Sequence, residues 1–229
     1  MTTVLITGAN RGIGLELTRR YAAAGNDVLA CCRAPADAAK LNALATADHH
    51  VRVCGVHVAD AASVVALKAE VGNTPIDVLI NNAGMQGPKR QSLTEMDYDG
   101  WTETFAVNTM APLRVLQTFR TNLAAGTHPK AVTITSQLGA LALDMPMGYA
   151  YCASKAAVNK VMRLASIELA KDRIAVALIH PGWVRTDMGG PQAQIGVEES
   201  AAGIVSVIEH LTLEHTGCFK KWNGETHPW

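Results

Sequence analysis

The sequence predicts an α/β fold class: one parallel sheet covered by helices on both faces. Three observations carry this. Short apolar runs alternate with amphipathic stretches from one end of the chain to the other. Those runs read as continuously apolar rather than as an alternation of apolar and polar positions, the pattern of strands buried on both faces. The chain has 229 residues, 48% of them apolar, enough for one sizeable core.

Taken in order, the predicted strands are Thr3–Thr7, Asp27–Cys32, Val51–Val56, Ile76–Asn81, Ala131–Thr135, Ile174–His180 and a short one near Cys218. Helical periodicity fills the intervals at Gly12–Ala24, Ala61–Val71, Asp97–Leu123 (expected to break near Asn108), Tyr151–Lys171 and Glu198–His210. Neither an internal repeat nor a low-complexity linker interrupts the order. The expectation is a single doubly wound Rossmann-type domain over residues 1–229, with seven parallel strands. The irregular stretch Gly182–Gly196, rich in glycine and containing Pro191, is the candidate mobile loop and substrate loop.

Charge and composition exclude several functions. Twenty Lys and Arg balance twenty Asp and Glu, so the chain has no overall attraction for nucleic acid or anionic membrane. No apolar stretch reaches the ~18 residues of a spanning helix, and the start lacks the pattern of a signal peptide. Five cysteines without C-x-x-C spacing read as reduced thiols of a cytoplasmic protein. The remaining histidines, including His49 and His50 in a loop, give no metal signature, so no metal is expected.

Chemistry concentrates at strand ends. The first strand runs into Gly8-Ala9-Asn10-Arg11-Gly12-Ile13-Gly14 and then a helix. Glycines there let the backbone turn tightly against a pyrophosphate, while the helix N-terminus offers unpaired N–H groups to the anion. The spacing is G-x-x-x-G-x-G, distinct from the G-x-G-x-x-G fingerprint. The second strand ends in Cys31-Cys32-Arg33, where NAD-binding folds often carry an acid on the ribose. Two neutral residues followed by Arg33, with Arg11 in the glycine turn, suit the 2′-phosphate of NADP(H).

Further along stand Asn82-Ala83-Gly84 after the fourth strand, Ser136 after the fifth, and Tyr151-Cys152-Ala153-Ser154-Lys155 opening a helix. Together with the glycine turn, these motifs resemble the short-chain dehydrogenase/reductase family. The segments Pro181–Pro191 and Asn223–Trp229 look like the C-factor-like and sniffer-like carbonyl reductase subset. The resemblance implies a catalytic set of Asn108, Ser136, Tyr151 and Lys155, with Asn108 helping to hold a water in a proton relay from the lysine. It also implies cofactor contacts from Gly8, Asn10, Arg11, Gly12, Ile13, Gly14, Arg33, Val58, Asn82, Ala83, Gly84, Tyr151, Lys155, Pro181, Gly182, Val184 and Thr186. At the end of the third strand the family usually has an Asp on adenine. Here His57 stands in its place, and Asp60 reads as a helix N-cap.

The residues support the chemistry on their own terms. Tyr151 and Lys155 are four apart and share a helix face, where the ammonium is expected to lower the phenol's pKa. Tyr151 would then give a proton to a carbonyl or take one from an alcohol. Ser136 would hydrogen-bond the substrate oxygen, and strand alternation turns its rival Thr135 to the other face. Tyr149, two residues from Tyr151, faces away from Lys155 and suits a pocket or interface. The extra length within Gln137–Gly148 reads as an insertion relative to the family.

The expected function is reduction of a ketone or aldehyde by hydride transfer from NADPH. The alternatives are NAD-dependent alcohol oxidation and a nucleotide-binding signalling or regulatory protein. Leu138, Met145, Met147, Tyr149, Trp183 and Met188 flank the site and favour a hydrophobic carbonyl or alcohol substrate. The two long helices, one carrying Ala156, Ala157, Val161 and Leu164, suggest a homodimer or a homotetramer built from it.

Overall fold

The computed structural model describes residues 1–145 and 148–229. Seven strands form one all-parallel sheet in the order β3-β2-β1-β4-β5-β6-β7. They are β1 Thr3–Thr7, β2 Asp27–Cys32, β3 Val51–Gly55, β4 Val78–Asn81, β5 Lys130–Ile134, β6 Ala175–His180 and β7 Cys218–Lys221. The helices are α1 Gly12–Ala23, α2 Ala39–Ala47, α3 Ala61–Val71, α4 Tyr98–Phe105, α5 Ala111–Ala124, α6 Tyr149–Leu169 and α7 Val197–Glu209. The order reverses at β1, which pairs with β2 on one side and β4 on the other. The crevice outside the carboxyl ends of β1 and β4 is thus the switch point where such sheets place ligands.

Burial follows the strand period. In β1, Val4 and Ile6 face one side with Val28, Ala30, Ile80, Val132, Ala177 and Ile179, under Leu17 of α1 and Ile204 and Ile208 of α7. Leu5, between them, faces the other side with Leu29, Cys31, Leu79, Val176 and Leu178, under Val115 and Phe119 of α5 and Val158 and Met162 of α6. Successive residues point to opposite faces of a strand, so a strand of consecutive apolar residues feeds both halves of the core.

Two sequence expectations change. Helix α2 is absent from the sequence reading because Leu41 is its only buried residue, too little to mark a period. The long helical stretch is not broken at Asn108. It widens there into a π-helical turn over Ala106–Met110 and continues into α5. Asp60 is the N-cap expected of it, its side chain accepting from the Ala62 N–H at 2.9 Å. Asp60→Ala should cost about 1 kcal/mol of stability, read as a fall in the urea midpoint with an unchanged slope.

Candidate active site

Lys155, Ser136 and Asn108 are each held by a partner outside the expected catalytic set. Lys155 lies two turns into α6 and is buried. Its Nζ donates to the carbonyl of Ile134, the last residue of β5, at 3.0 Å, and lies 5.8 Å from the centre of the Tyr151 ring. Burial brings the ammonium down to about 8. The Tyr151 phenol is pushed up by its own burial, an effect that the Ser136 side chain, hydrogen-bonded to it, partly offsets. This corrects the expectation that the lysine lowers the tyrosine. Desolvation of the buried phenolate is the largest effect and outweighs the Ser136 hydrogen bond.

Ser136 N-caps a 3-10 turn over Gln137–Gly139, its Oγ accepting from the Leu138 N–H at 3.1 Å. Thr135 turns away as alternation requires, and its hydroxyl meets Asn159 Oδ1 at 2.7 Å. Asn108 sits inside the π turn, buried. Its Oδ1 accepts from the Met85 N–H at 2.9 Å, and its Nδ2 donates to the Met85 carbonyl at 2.8 Å and to Ser154 Oγ at 3.0 Å. Ser154 in turn donates to the Tyr151 carbonyl at 2.7 Å. The motif's serine, which carries no role in the sequence reading, thereby couples Asn108 to the tyrosine's own turn. A methyl group added at Gly84 would stand 3.3 Å from Asn108 Oδ1 and 3.6 Å from Lys155 Nζ. Asn108, Lys155 and the loop after β4 therefore converge on one small volume.

The glycine turn is built for close approach. Gly8 has φ +68°, and a Cβ at Gly14 would lie 2.2 Å from the Gly8 carbonyl oxygen, so no larger residue fits there without moving the turn. Asn82 reaches across the switch point and donates to the carbonyls of Thr7 and Gly8, both at 3.0 Å. The Thr7 hydroxyl accepts from the Asn82 and Ala83 N–H groups, each at 3.1 Å. Helix α1 has no side-chain cap at its start and no acidic residue in its first turn. Its leading N–H groups are thus left for an anion, and these residues fit a dinucleotide pyrophosphate. Ile13 and Asn10 belong to the same turn.

At the adenosine end, Arg33 is exposed just beyond β2. Arg11 does not turn toward it. Its guanidinium pairs with Asp187 at 3.0 Å, with both side chains largely exposed. A pair so exposed holds weakly and can be displaced. Beyond β3, His57 is exposed, and the Val58 and Ala59 carbonyls accept from Arg114, both at 3.1 Å.

The Gly182–Gly196 stretch is stapled rather than free. Val184 bridges Ile195, and the Arg185 N–H donates to the Ile195 carbonyl at 3.0 Å. The Arg185 side chain holds the Ala193 and Gln194 carbonyls, and Thr186 takes the Gly189 N–H. Ser200 ties Pro181 at the loop's root, and Gly182 has φ +87°. On the substrate side, Met145, Tyr149, Trp183 and Met188 are exposed large apolar side chains, and Leu138 is half-buried. Met147 lies outside the described residues.

Away from this site, ligand atoms of Asp48, His49 and His50 lie within 4.8 Å of one another at the amino end of the sheet, where the sequence gives the two histidines no metal signature. Among the described residues no two cysteines are joined by a disulfide. Among the described residues no helix is long and apolar enough to cross a membrane.

A family model described as short chain dehydrogenase matches residues 2–194. The C-signal protein of Myxococcus xanthus is 40% identical over 165 residues, covering 72% of this chain and 99% of that protein. Among solved structures, the NADPH-bound carbonyl reductase from chicken fatty liver superposes with a TM-score of 0.93 at 31% identity, covering 100% of this chain and 99% of its own. The carbonyl reductase Sniffer of D. melanogaster superposes with a TM-score of 0.91 at 28% identity, covering 100% of both.

Proposed function

The chain belongs to the short chain dehydrogenase family and is an oxidoreductase of that family, and from that premise we propose that it uses NADP(H) to reduce a ketone or aldehyde to an alcohol. The observation that carries the reading is the convergence of Tyr151, Ser136, Lys155 and Asn108 beside Gly84, next to an uncapped helix start at the switch point. A likeness over the whole chain to a carbonyl reductase with NADPH bound supports the cofactor.

NADP(H), when bound, supplies the hydride. Gly8, Asn10, Gly12, Ile13 and Gly14 would cradle its pyrophosphate, and Arg33, with Arg11, would take the 2′-phosphate. Val58 would face the adenine. Asn82, Ala83, Gly84, Pro181, Gly182, Val184 and Thr186 would line the nicotinamide half. The chain's own chemistry is proton transfer and oxygen binding. The phenol of Tyr151, kept protonated by its burial, gives its proton to the substrate oxygen. The Ser136 hydroxyl donates to the same oxygen as charge gathers there. Lys155 holds positive charge beside the ring and offsets the phenolate that remains, while Asn108 and Ser154 keep the Tyr151 turn in register.

The exposed apolar rim of Met145, Tyr149, Trp183 and Met188 selects hydrophobic carbonyl compounds. Reduced thiols fit a cytoplasmic protein. The deciding experiment is consumption of NADPH with a panel of aliphatic and aromatic ketones and aldehydes. Turnover on part of the panel is expected, and no turnover, or turnover with NADH alone, sinks the proposal. The likeness to C-signal favours a second reading, a nucleotide-binding signalling protein. That reading requires tight cofactor binding without turnover on the same panel.

We also propose that the whole chain is one domain that pairs through α5 and α6. In α6 the inward positions Val158, Met162 and Leu169 are spent on the core, which leaves Leu164 (49% exposed) and Ile167 (71% exposed) one turn apart on the outer face. Light scattering at micromolar concentration should give a dimer or tetramer, and a monomer would refute the pairing.

A further inference from the structure

The helix that carries Tyr151 starts without a cap of its own. The residue before it is Gly148, which has no side chain to offer, and the first bond inside the helix runs from the Cys152 N–H to the Gly148 carbonyl at 3.0 Å. The N–H groups ahead of Cys152 thus have no partner within the helix, Tyr151's among them. The Tyr151 N–H donates instead to Oε1 of Gln91, at 3.2 Å, from a segment 60 residues earlier. The other end of the same carboxamide is also committed: Nε2 donates to the Gln86 carbonyl at 3.1 Å and the Pro88 carbonyl at 2.7 Å. Two carbonyls face one end and an N–H faces the other, so the orientation of the amide is forced.

The fit extends to the backbone. A Cβ at Gly148 would lie 2.4 Å from Gln91 Oε1, and one at Gly87 would lie 3.2 Å from Nε2. Bare backbone on both sides admits the carboxamide. The segment that Gln91 closes on itself is the continuation of the Asn82–Gly84 loop, whose Met85 is held by Asn108.

We infer that Gln91 is a positioning residue for Tyr151: it caps the first turn of α6 from outside and ties it to the 85–91 segment. The inference rests on the reading of Tyr151 as proton donor. Without the cap, the first turn frays on the side where the phenol must meet both Ser136 and the substrate oxygen. The glycine turn and Arg33, which hold the cofactor's phosphates, are untouched.

Gln91→Met keeps nearly the same length and volume but removes every side-chain hydrogen bond, leaving only the Gln91 carbonyl's bond from the Tyr149 N–H at 3.5 Å. With the first turn of α6 released, kcat should fall roughly tenfold, equivalent to ~1.4 kcal/mol. NADPH affinity by fluorescence titration should stay within about twofold, a split that general loosening of the fold would not produce. Gln91→Glu keeps an acceptor for the Tyr151 N–H but turns a carboxylate on the Gln86 and Pro88 carbonyls. It should therefore fall at least as far as Gln91→Met.

Hydrogen–deuterium exchange on the intact protein supplies a readout that needs no substrate. A peptide spanning 149–153 should lose protection in Gln91→Met while one spanning 156–166 keeps it. Unchanged protection overturns the inference, as does lost protection with unchanged kcat, or a loss of NADPH affinity equal to the loss in kcat. A wild-type protein that reduces no carbonyl would sink the proposed reaction instead, and the exchange result would still decide the cap.

Discussion

Tyr151→Phe should abolish nearly all carbonyl reduction while leaving the fold and NADPH affinity in place. The substitution removes one oxygen, and that oxygen is the group placed to give up a proton. Burial raises the phenol's pKa, so at neutral pH it stands protonated and ready to donate. General acid catalysis by a positioned group is worth about 100- to 10,000-fold, and kcat should fall within that range. The ring remains to fill its space, so thermal stability and NADPH binding serve as controls. Tyr149→Phe should be nearly silent, because Tyr149 is about half exposed and away from Lys155. The reverse result, a silent Tyr151→Phe with an inactive Tyr149→Phe, would overturn the assignment. Lys155 sets the pH dependence. Its ammonium is present below about 8 and lost above it. Reduction should thus be level below that pH and decline as pH rises through it. A rate that climbs through the same range would show that the charge on Lys155 does not help.

Arg33→Ala should weaken NADPH by roughly ten- to hundredfold and leave NADH almost unaffected. Hydrogen bonds to charged groups contribute about 1.5–3 kcal/mol, and ~1.4 kcal/mol is a factor of ten. NADH has no 2′-phosphate and never uses the contact. Arg11 contributes less, because it must first leave Asp187. Both guanidinium groups are exposed, so raising salt should weaken NADPH more than NADH. The measurement is the ratio of kcat/KM with the two cofactors, wild type against mutant. A wild type that prefers NADH refutes the assignment. A mutant that loses both cofactors equally shows that Arg33 holds its loop and does not read the phosphate.

The fold was legible wherever a strand or helix carries its own pattern. Strands such as Ala175–His180 are apolar at every position but the last, and helices α1, α3, α6 and α7 carry enough buried positions to show a period. Helix α2, with Leu41 alone buried, does not. Strand ends shifted by a residue or two: β3 stops at Gly55 before its apolar run does, β4 and β6 begin at Val78 and Ala175 after theirs have begun, and β5 slides back by one residue to Lys130–Ile134. The proposed site was legible as a set of motifs, since Tyr151 and Lys155 share a helix and Ser136 follows a strand. What holds them was not. The Ile134 carbonyl on Lys155, the Thr7 hydroxyl under Asn82, and Gln91 on the Tyr151 N–H are contacts between distant parts of the chain. No local spacing encodes them. The π turn at Asn108 looks like a break in the sequence because an extra residue in a helix shifts its period just as a break does.

The placing of β1 at the middle of the sheet bears on how the chain comes into being. Val4 is made long before its neighbour Val78 and before α7, which completes the cover of its face and begins only at Val197. At about 5–20 residues per second, a ribosome leaves that face of β1 with α1 but without α7 for roughly ten seconds or more. Parallel pairing between distant segments is slow to nucleate because each loop must close before the pairing repays it. Through that interval Val4, Ile6 and Val28 form an apolar surface with open strand edges, the kind that sticks to other nascent chains. The geometry that opens a ligand crevice in the finished protein thus leaves part of the core of the unfinished one incomplete. A chain interrupted before Ile204 and Ile208 would keep that part of the core incomplete.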